Sequence, residues 1–282
     1  MSDVDNINVS HYAVFGNPIE HSRSPDIHQQ FALQLAQAMT YQRQLVELGA
    51  FESSAAHFFA NGGAGLNITV PFKLDAYQFA EQLSERAKRA GAVNTLIAKE
   101  GVVIGDNTDG CGLLADLQNN LQWPIEGANI LVLGAGGAVR GILEPLLLAK
   151  PESIIIANRT LEKAQHVSES FSQLANEVGC DLSAMQYSDI DKPFTIIING
   201  TSASLEGGTL PLANECFIGA YCYDMMYAKT PTAFLQLAAK QGARGIADGL
   251  GMLVEQAAES FRLWRDVKPD TRPVIQSIRS DL

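Results

Sequence analysis

The run Gly134-Ala135-Gly136-Gly137-Ala138 could hold a phosphorylated ligand with its backbone alone. Gly134 permits a tight turn, Gly136 lets the chain approach a pyrophosphate, and the unpaired N–H groups of a following helix meet the charge. The context agrees. Ile130–Leu133 is a short apolar run that reads as a buried parallel strand, and beyond Ala138 the residues Val139, Ile142, Leu143 and Leu146 recur at helical spacing. Strand, glycine turn and helix are what a dinucleotide site requires. Val139 stands where the third glycine of G-x-G-x-x-G belongs, and Pro145 predicts a kink in the helix. A plain β–α connection can carry the same glycines, so the next strand matters. It runs Ser153–Ala157 and ends in Asn158-Arg159-Thr160. An NAD-type site places an acid there for the ribose 2′-hydroxyl. Here no acid is present and a guanidinium follows. Arg159 suits a 2′-phosphate through charge-assisted hydrogen bonds, and Lys163 adds a second positive charge one turn on. The alternative is a solvated Arg159 and a Thr160 that only caps its helix. Glycine turn and basic strand end together favour NADP.

Other residues could do chemistry in the first third of the chain. Ser22 and Ser24 precede Pro25, which opens a helix predicted through about Met39, with Ile27, Phe31, Leu35 and Ala38 on one face. Ser24 is its expected N-cap, and two hydroxyls at a helix start could also hold a carboxylate. Lys73 follows the strand Leu66–Val70 and Pro71. Open α/β sheets put ligand chemistry in loops of this kind, beyond a strand's carboxyl end, and Thr69 lies near it. A surface lysine is the ordinary competitor. Asp109 either caps the helix that carries Leu113, Leu114, Leu117 and Leu121 or presents a carboxylate to Lys73 across a cleft; spacing alone does not choose. Asn94 opens a hairpin of Val93–Ala98 and Val102–Ile104, and Gln256 lies beside the apolar stripe of the last long helix, Met252–Arg265. Either is equally a turn or solvated residue.

These groups need elements to position them. The chain has 282 residues, 46% hydrophobic, enough for two domains with their own cores. Strands and helices alternate throughout, which predicts an α/β fold. Further strands are expected at Tyr12–Phe15, Tyr41–Leu48, Phe194–Ile198, Tyr221–Met226 and Gly245–Ala247, and helices at Phe51–Ala60, Leu74–Phe79, Ser84–Ala90, Leu161–Val178 and Pro231–Gln241, the last capped by Thr230. Asp248-Gly249-Leu250-Gly251 reads as a flexible crossing between domains. The net charge of −11 argues against a nucleic-acid partner. The four cysteines form no C-x-x-C pair, which suggests reduced thiols in a cytoplasmic protein, and the five histidines show no metal-like spacing with them. No apolar run approaches membrane length, and the polar start, residues 1–10, is expected to fray rather than act as a signal peptide.

The motifs GNPIEHSRSPDIH, NITVPFK, GAVNT, GDNTDG, GAGGA, NRT, YDMMY and ADGLGMLVEQA follow one another from Phe15 to about Trp264. In this the chain resembles the NADP-dependent, biosynthetic shikimate dehydrogenases. The resemblance implies an N-terminal α/β substrate domain and a Rossmann-like NADP domain separated by a cleft. The expected borders are 1–111 plus 249–282 for the substrate domain and 112–248 for the NADP domain. It further implies that Ser22 and Ser24, helped by Tyr227, hold the substrate carboxylate. Thr69, Asn94, Asp109 and Gln256 would bind the ring hydroxyls, and Lys73 with Asp109 would form the catalytic pair. Gly134, Ala135, Gly136, Gly137 and Ala138 would cradle the pyrophosphate. Asn158, Arg159 and Thr160 would meet the adenosine end, with Lys163 beside them, and Met225 and Gly249 would line the nicotinamide pocket. No metal is implied. The partners are a small-molecule substrate and no nucleic acid or membrane, with a monomer or homodimer as the assembly. Three departures stand out: Gly200 for the family's usual alanine, Ala203-Ser204 for a serine-glycine pair, and Lys163 for an arginine. Lysine offers a point charge and not a planar fork, so the preference for NADP is expected to be softer. The rival readings are a quinate/shikimate dehydrogenase using NAD and a non-catalytic NADP sensor on the same fold. Asn158-Arg159 opposes the first; the presence of Lys73, Asp109, Thr69 and both serines opposes the second.

Overall fold

The computed structural model describes residues 9–201 and 211–282. The chain divides into two compact units, Met1–Thr108 with Ala257–Val274, and Asp109–Gln256 with Ile275–Leu282. The division falls at Thr108 and Gln256 where the motifs suggested 111 and 249, and residues 275–282, expected in the substrate domain, belong to the second unit.

The first unit is built on a six-stranded sheet. Its strands are β1 (Ser10–Gly16), β2 (Met39–Leu45), β3 (Gly63–Ile68), β4 (Gln82–Leu83), β5 (Thr95–Lys99) and β6 (Val102–Asp106), in the order β2-β1-β3-β5-β6-β4. β2, β1 and β3 are parallel, and β5 pairs antiparallel with both β3 and β6. Helices α1 (Ser24–Gln34), α2 (Phe51–Ala60), α3 (Lys73–Phe79) and α4 (Glu85–Ala90) connect them. Phe15, Phe51, Leu66, Phe72 and Leu96 form the core, and burying each such side chain contributes about 1.5–3 kcal/mol. α1 stops five residues short of the predicted end: Ala36 turns to φ 49°, leaving Leu35 and Ala38 outside the helix. No glycine or proline marks this stop. Arg23, not Ser24, takes the cap position, and no side chain caps the helix.

The second unit is a parallel sheet of β7 (Asn129–Leu133), β8 (Ser153–Ala157), β9 (Asp181–Met185), β10 (Ile196–Asn199), β11 (Tyr221–Asp224) and β12 (Gly245–Asp248). The order β12-β11-β10-β7-β8-β9 is the doubly wound one, reversing direction between β7 and β10. Ile130 to Leu133 and Ile196 to Ile198 are fully buried, as strands covered on both faces must be. Around the sheet run α5 (Asp109–Ala115), α6 (Gly137–Leu148), α7 (Leu161–Val178), α8 (Ala233–Lys240), α9 (Leu250–Arg265, which continues into the first unit) and α10 (Arg272–Ser280). α6 retains Pro145 within its span. α8 begins later than expected, and its cap is Thr232, whose hydroxyl accepts from the Leu235 N–H. The supposed flexible crossing is not one: the Asp248 carboxylate accepts the Leu250 N–H, and Leu250 already begins α9. The short or edge elements β4, β9 and α10 have no counterpart in the sequence reading.

Candidate functional site

Each unit carries part of the expected site. In the first unit, Gly16 ends β1 without a side chain because a Cβ there would fall 2.5 Å from Cγ2 of Thr69 and 2.8 Å from Ile19. The glycine thus makes room for Thr69 beside the Gly16-Asn17-Pro18 turn. Beyond Thr69 the chain turns through Pro71 into α3, which Lys73 opens. The Lys73 carbonyl accepts the Val93 N–H at 3.0 Å, so Lys73 is tied by backbone to the residue before Asn94. Lys73 is half-buried.

Ser22 and Ser24 meet directly. The Ser22 hydroxyl donates to Ser24 Oγ at 3.2 Å and accepts the Ser24 N–H at 3.3 Å. Arg43 Nε holds the Ser22 carbonyl at 2.8 Å. Neither hydroxyl caps α1, and the two are linked to each other and, through Ser24, to Tyr41. Replacing Ser22 by alanine is expected to raise the KM for shikimate while the melting temperature holds. A large fall in melting temperature at unchanged KM would show a purely structural serine.

A buried polar network that the sequence reading missed lies behind these serines. Asn67 Nδ2 donates to the Asn94 carbonyl, which fixes the amide's orientation and makes Oδ1 the acceptor. Oδ1 takes the Tyr41 hydroxyl at 2.7 Å and His28 Nε2 at 3.1 Å. His28 is therefore the neutral Nε2–H tautomer, and burial lowers its pKa to about 3. Tyr41 is hydrogen-bonded to Ser24 as well, and burial drives its pKa up. Asn94 is no mere turn residue. Its Oδ1 accepts the Thr108 N–H at 2.9 Å and its Nδ2 donates to Thr108 Oγ1 at 3.0 Å, pinning the GDNTDG loop. Asp106 anchors the same loop, accepting from Ser84 and from both Arg86 Nε and Nη2. Asn67 opens the NITVPFK stretch and is the one polar residue inside the apolar run of β3, but neither signal names its partners.

In the second unit, Asp109 begins α5 and is buried. The glycine turn fits a pyrophosphate. Gly134 adopts φ 105°, a conformation other residues avoid. Cβ atoms at Gly136 and Gly137 would meet nothing within 4 Å, so the turn faces open space. No side chain caps α6 and no acid stands in its first turn, leaving its N–H groups to an anion. At the end of β8, Asn158 Nδ2 holds the Thr160 carbonyl at 2.9 Å. Thr160 occupies the cap position of α7, but its hydroxyl accepts no capping bond. Arg159 and Lys163 are exposed, and among the described residues neither has an ion-pair partner. Two exposed cations, with no acid at the end of the strand itself, suit a 2′-phosphate.

Met225 and Gly249 do meet: a Cβ on Gly249 would fall 2.2 Å from the Met225 carbonyl oxygen. This glycine serves close approach and not flexibility. Tyr227 follows half-buried, and Gln256 folds its amide onto the Leu253 carbonyl at 2.9 Å. The ends of β10 and β11 are joined by buried groups that sequence did not flag. Asp224 accepts from Asn199 Nδ2, the Met226 N–H and the Thr232 hydroxyl, and so shapes the turn before Tyr227.

Two of the departures noted in the sequence are one feature. A Cβ on Gly200 would sit 2.6 Å from Cγ2 of Val139, so the branched residue in the third-glycine position fills the space that an alanine at 200 would need. Gly200→Ala alone is expected to cost about 1–3 kcal/mol by overpacking. Adding Val139→Ala should recover part of that loss. Urea denaturation of the two singles and the double reads the coupling, and strictly additive losses would remove it. Ala203-Ser204 lies outside the described residues.

The four cysteines are free thiols, and burial pushes Cys180 up to about 11 and Cys222 up to about 12. Among the described residues no group of three or more histidine, cysteine or acidic side chains could hold a metal. No described helix is long and apolar enough to cross a membrane.

A doubly wound sheet with a glycine turn at its switch point and a basic second strand end, joined to a separate α/β unit, defines a dinucleotide-binding protein. The comparisons make this specific. Residues 14–96 match the shikimate dehydrogenase substrate binding domain, 116–205 the shikimate/quinate 5-dehydrogenase family, and 249–279 the shikimate 5′-dehydrogenase C-terminal domain. The chain is 52% identical over 274 residues to the shikimate dehydrogenase (NADP+) of Cellvibrio japonicus, covering 96% of this chain and 97% of that one. Among solved structures it is similar to an Ael1 enzyme from Pseudomonas putida, at 44% identity and TM-score 0.90, over 95% of this chain and 97% of that one. It is also similar to shikimate 5-dehydrogenase from Thermus thermophilus, solved with NADP(H) and shikimate, at 31% identity and TM-score 0.86, over 97% of this chain and all of that one. The chain belongs to the shikimate dehydrogenase family of NADP-dependent oxidoreductases.

Proposed function

We propose that this protein catalyses the reversible NADPH-dependent reduction of 3-dehydroshikimate to shikimate, in aromatic amino-acid biosynthesis. The observation that carries the reading is the pairing of an acid-free, Arg159-bearing strand end with the serine-lined start of α1, one suited to NADP and the other to a carboxylate substrate. NADPH supplies the hydride, which passes to the C3 carbonyl. This chain's residues do the rest. Ser22, Ser24 and Tyr227 orient the substrate by its carboxylate. Thr69, Asn94, Asp109 and Gln256 bind the ring hydroxyls. The carbonyl oxygen gains negative charge as its carbon is reduced, and the Lys73 ammonium stabilises that charge and gives the oxygen its proton. Asp109 partners Lys73 as the second catalytic group. In the NADP unit, the backbone from Gly134 to Ala138 holds the pyrophosphate and Asn158, Arg159, Thr160 and Lys163 the adenosine end, while Met225 and Gly249 shape the nicotinamide pocket.

Four free cysteines support a cytoplasmic location, and a monomer or homodimer is the proposed assembly. Initial rates with shikimate and with quinate, each with NADP and with NAD, test the assignment. Highest kcat/KM for shikimate with NADP is the expected result. Quinate with NAD as the better pair would replace it with the rival reading, and no turnover with any pair would leave an NADP-binding protein without catalysis.

A further inference from the structure

Residues Asp116–Asn120 continue α5 as a single π-turn. Such turns insert a residue at some cost to the helix and recur near functional sites. This one presents Asp116, buried at 4% exposure, to two donors from different elements. The Tyr223 hydroxyl at the end of β11 donates to Oδ2 at 2.7 Å. Asn120 Nδ2 donates to Oδ1 at 2.9 Å and, with its other proton, to Glu255 of α9 at 2.9 Å. The Tyr223 oxygen in turn accepts the Met252 N–H of α9 at 3.3 Å. The bonds therefore form a closed ring, from Met252 through Tyr223, Asp116 and Asn120 to Glu255, with every donor direction determined by chemistry. It grips α9 at two points one turn apart, immediately before Gln256. Two such points fix both the height of a helix and its rotation, where one would leave it free to turn.

The helices meet without slack at the same place. A Cβ on Gly251 would fall 2.0 Å from Asp116 Oδ1, and a Cβ on Gly112 of α5 would fall 2.7 Å from both the nitrogen and the Cβ of Gln256. Each helix contributes a glycine where the other's backbone or carboxylate needs the space. None of Asp116, Asn120, Tyr223 or Glu255 has a part in the chemistry described above.

We infer that Asp116 is a positioning residue for the reaction: through the ring it sets the height and rotation of α9, and so the place of the Gln256 amide. The inference rests on the reading of Gln256 as a substrate contact. Asp116→Asn keeps the volume but replaces one acceptor with a donor facing donors. It is expected to lower kcat/KM for shikimate by about ten- to a hundredfold, as displacements near 1 Å do, with the Kd for NADP unchanged. The decisive readout is the double-mutant cycle with Gln256→Ala. In that background Asp116→Asn should change kcat/KM by less than about threefold, because the group it positions is gone. Should Asp116→Asn fail to fold, Asn120→Ala opens the ring at Glu255 and should show the same non-additivity. Wild-type kinetics in the ring variants, or losses that multiply with an impaired Gln256→Ala, overturn the ring's role. Wild-type kinetics in Gln256→Ala alone would instead remove the substrate contact on which the inference rests.

Discussion

Lys73→Ala is expected to lower kcat by about 10²–10⁴-fold, the usual worth of a positioned proton donor. The structure makes Lys73 the first residue of α3, half-buried and tied by its carbonyl to Val93. Its ammonium opposes the negative charge that grows on the substrate oxygen. In shikimate oxidation the same group must act as the base. The transfer of hydride itself asks nothing of the lysine, so residual turnover should remain. The Kd for NADPH should not move, because Lys73 belongs to the first unit and the glycine turn to the second. Steady-state rates with a separate fluorescence titration of NADPH read both quantities. If kcat stays near wild type while only the shikimate KM rises, Lys73 contributes uniform binding and is not catalytic.

The second large effect is expected at the cofactor. Arg159→Ala should weaken NADP binding about ten- to a hundredfold, the worth of a charge-assisted hydrogen bond to the 2′-phosphate. NAD, which lacks that phosphate, should bind nearly as before. The guanidinium follows β8 exposed and without an ion-pair partner among the described residues, so its removal breaks no ion pair there. Lys163, at the next turn of the chain, supplies a charge but not a planar fork. It should keep some NADP preference alive in the variant. Equal losses for the two cofactors would mean that Arg159 does not read the phosphate at all.

Local signals made most of the second unit legible. A run such as Ile130–Leu133 followed by Gly134 can be little other than a buried strand and a turn, since periodicity and φ preference act over a few residues. The same holds for β8, β10 and β11, and for the missing acid after Ala157. Elements at the margins were lost for a physical reason. β4 has two residues and β9 is an edge strand, so their apolar periodicity is weak or brief. The early stop of α1 was also invisible, because Ala36 takes a positive φ without a glycine.

The motifs mark the residues of the site, but not why each must be what it is. Gly200 and Val139 read as two separate oddities until the fold brought them together. Gly249 and Gly251 read as flexibility, yet one lies against the Met225 backbone and the other against the Asp116 carboxylate. Ser24 read as a cap, and the structure gives it to Ser22 and Tyr41. The sequence by itself determined the order of strands and helices, the glycine turn and the charge at the end of β8, because each is written in consecutive residues. Only the tertiary structure decided the roles of Asn67, Asp106, Asp116 and Asp224. Their partners lie 26 to 193 residues away for Asn67 and 107 residues away at Tyr223 for Asp116. A buried polar side chain declares its purpose only when the group that satisfies it is in place.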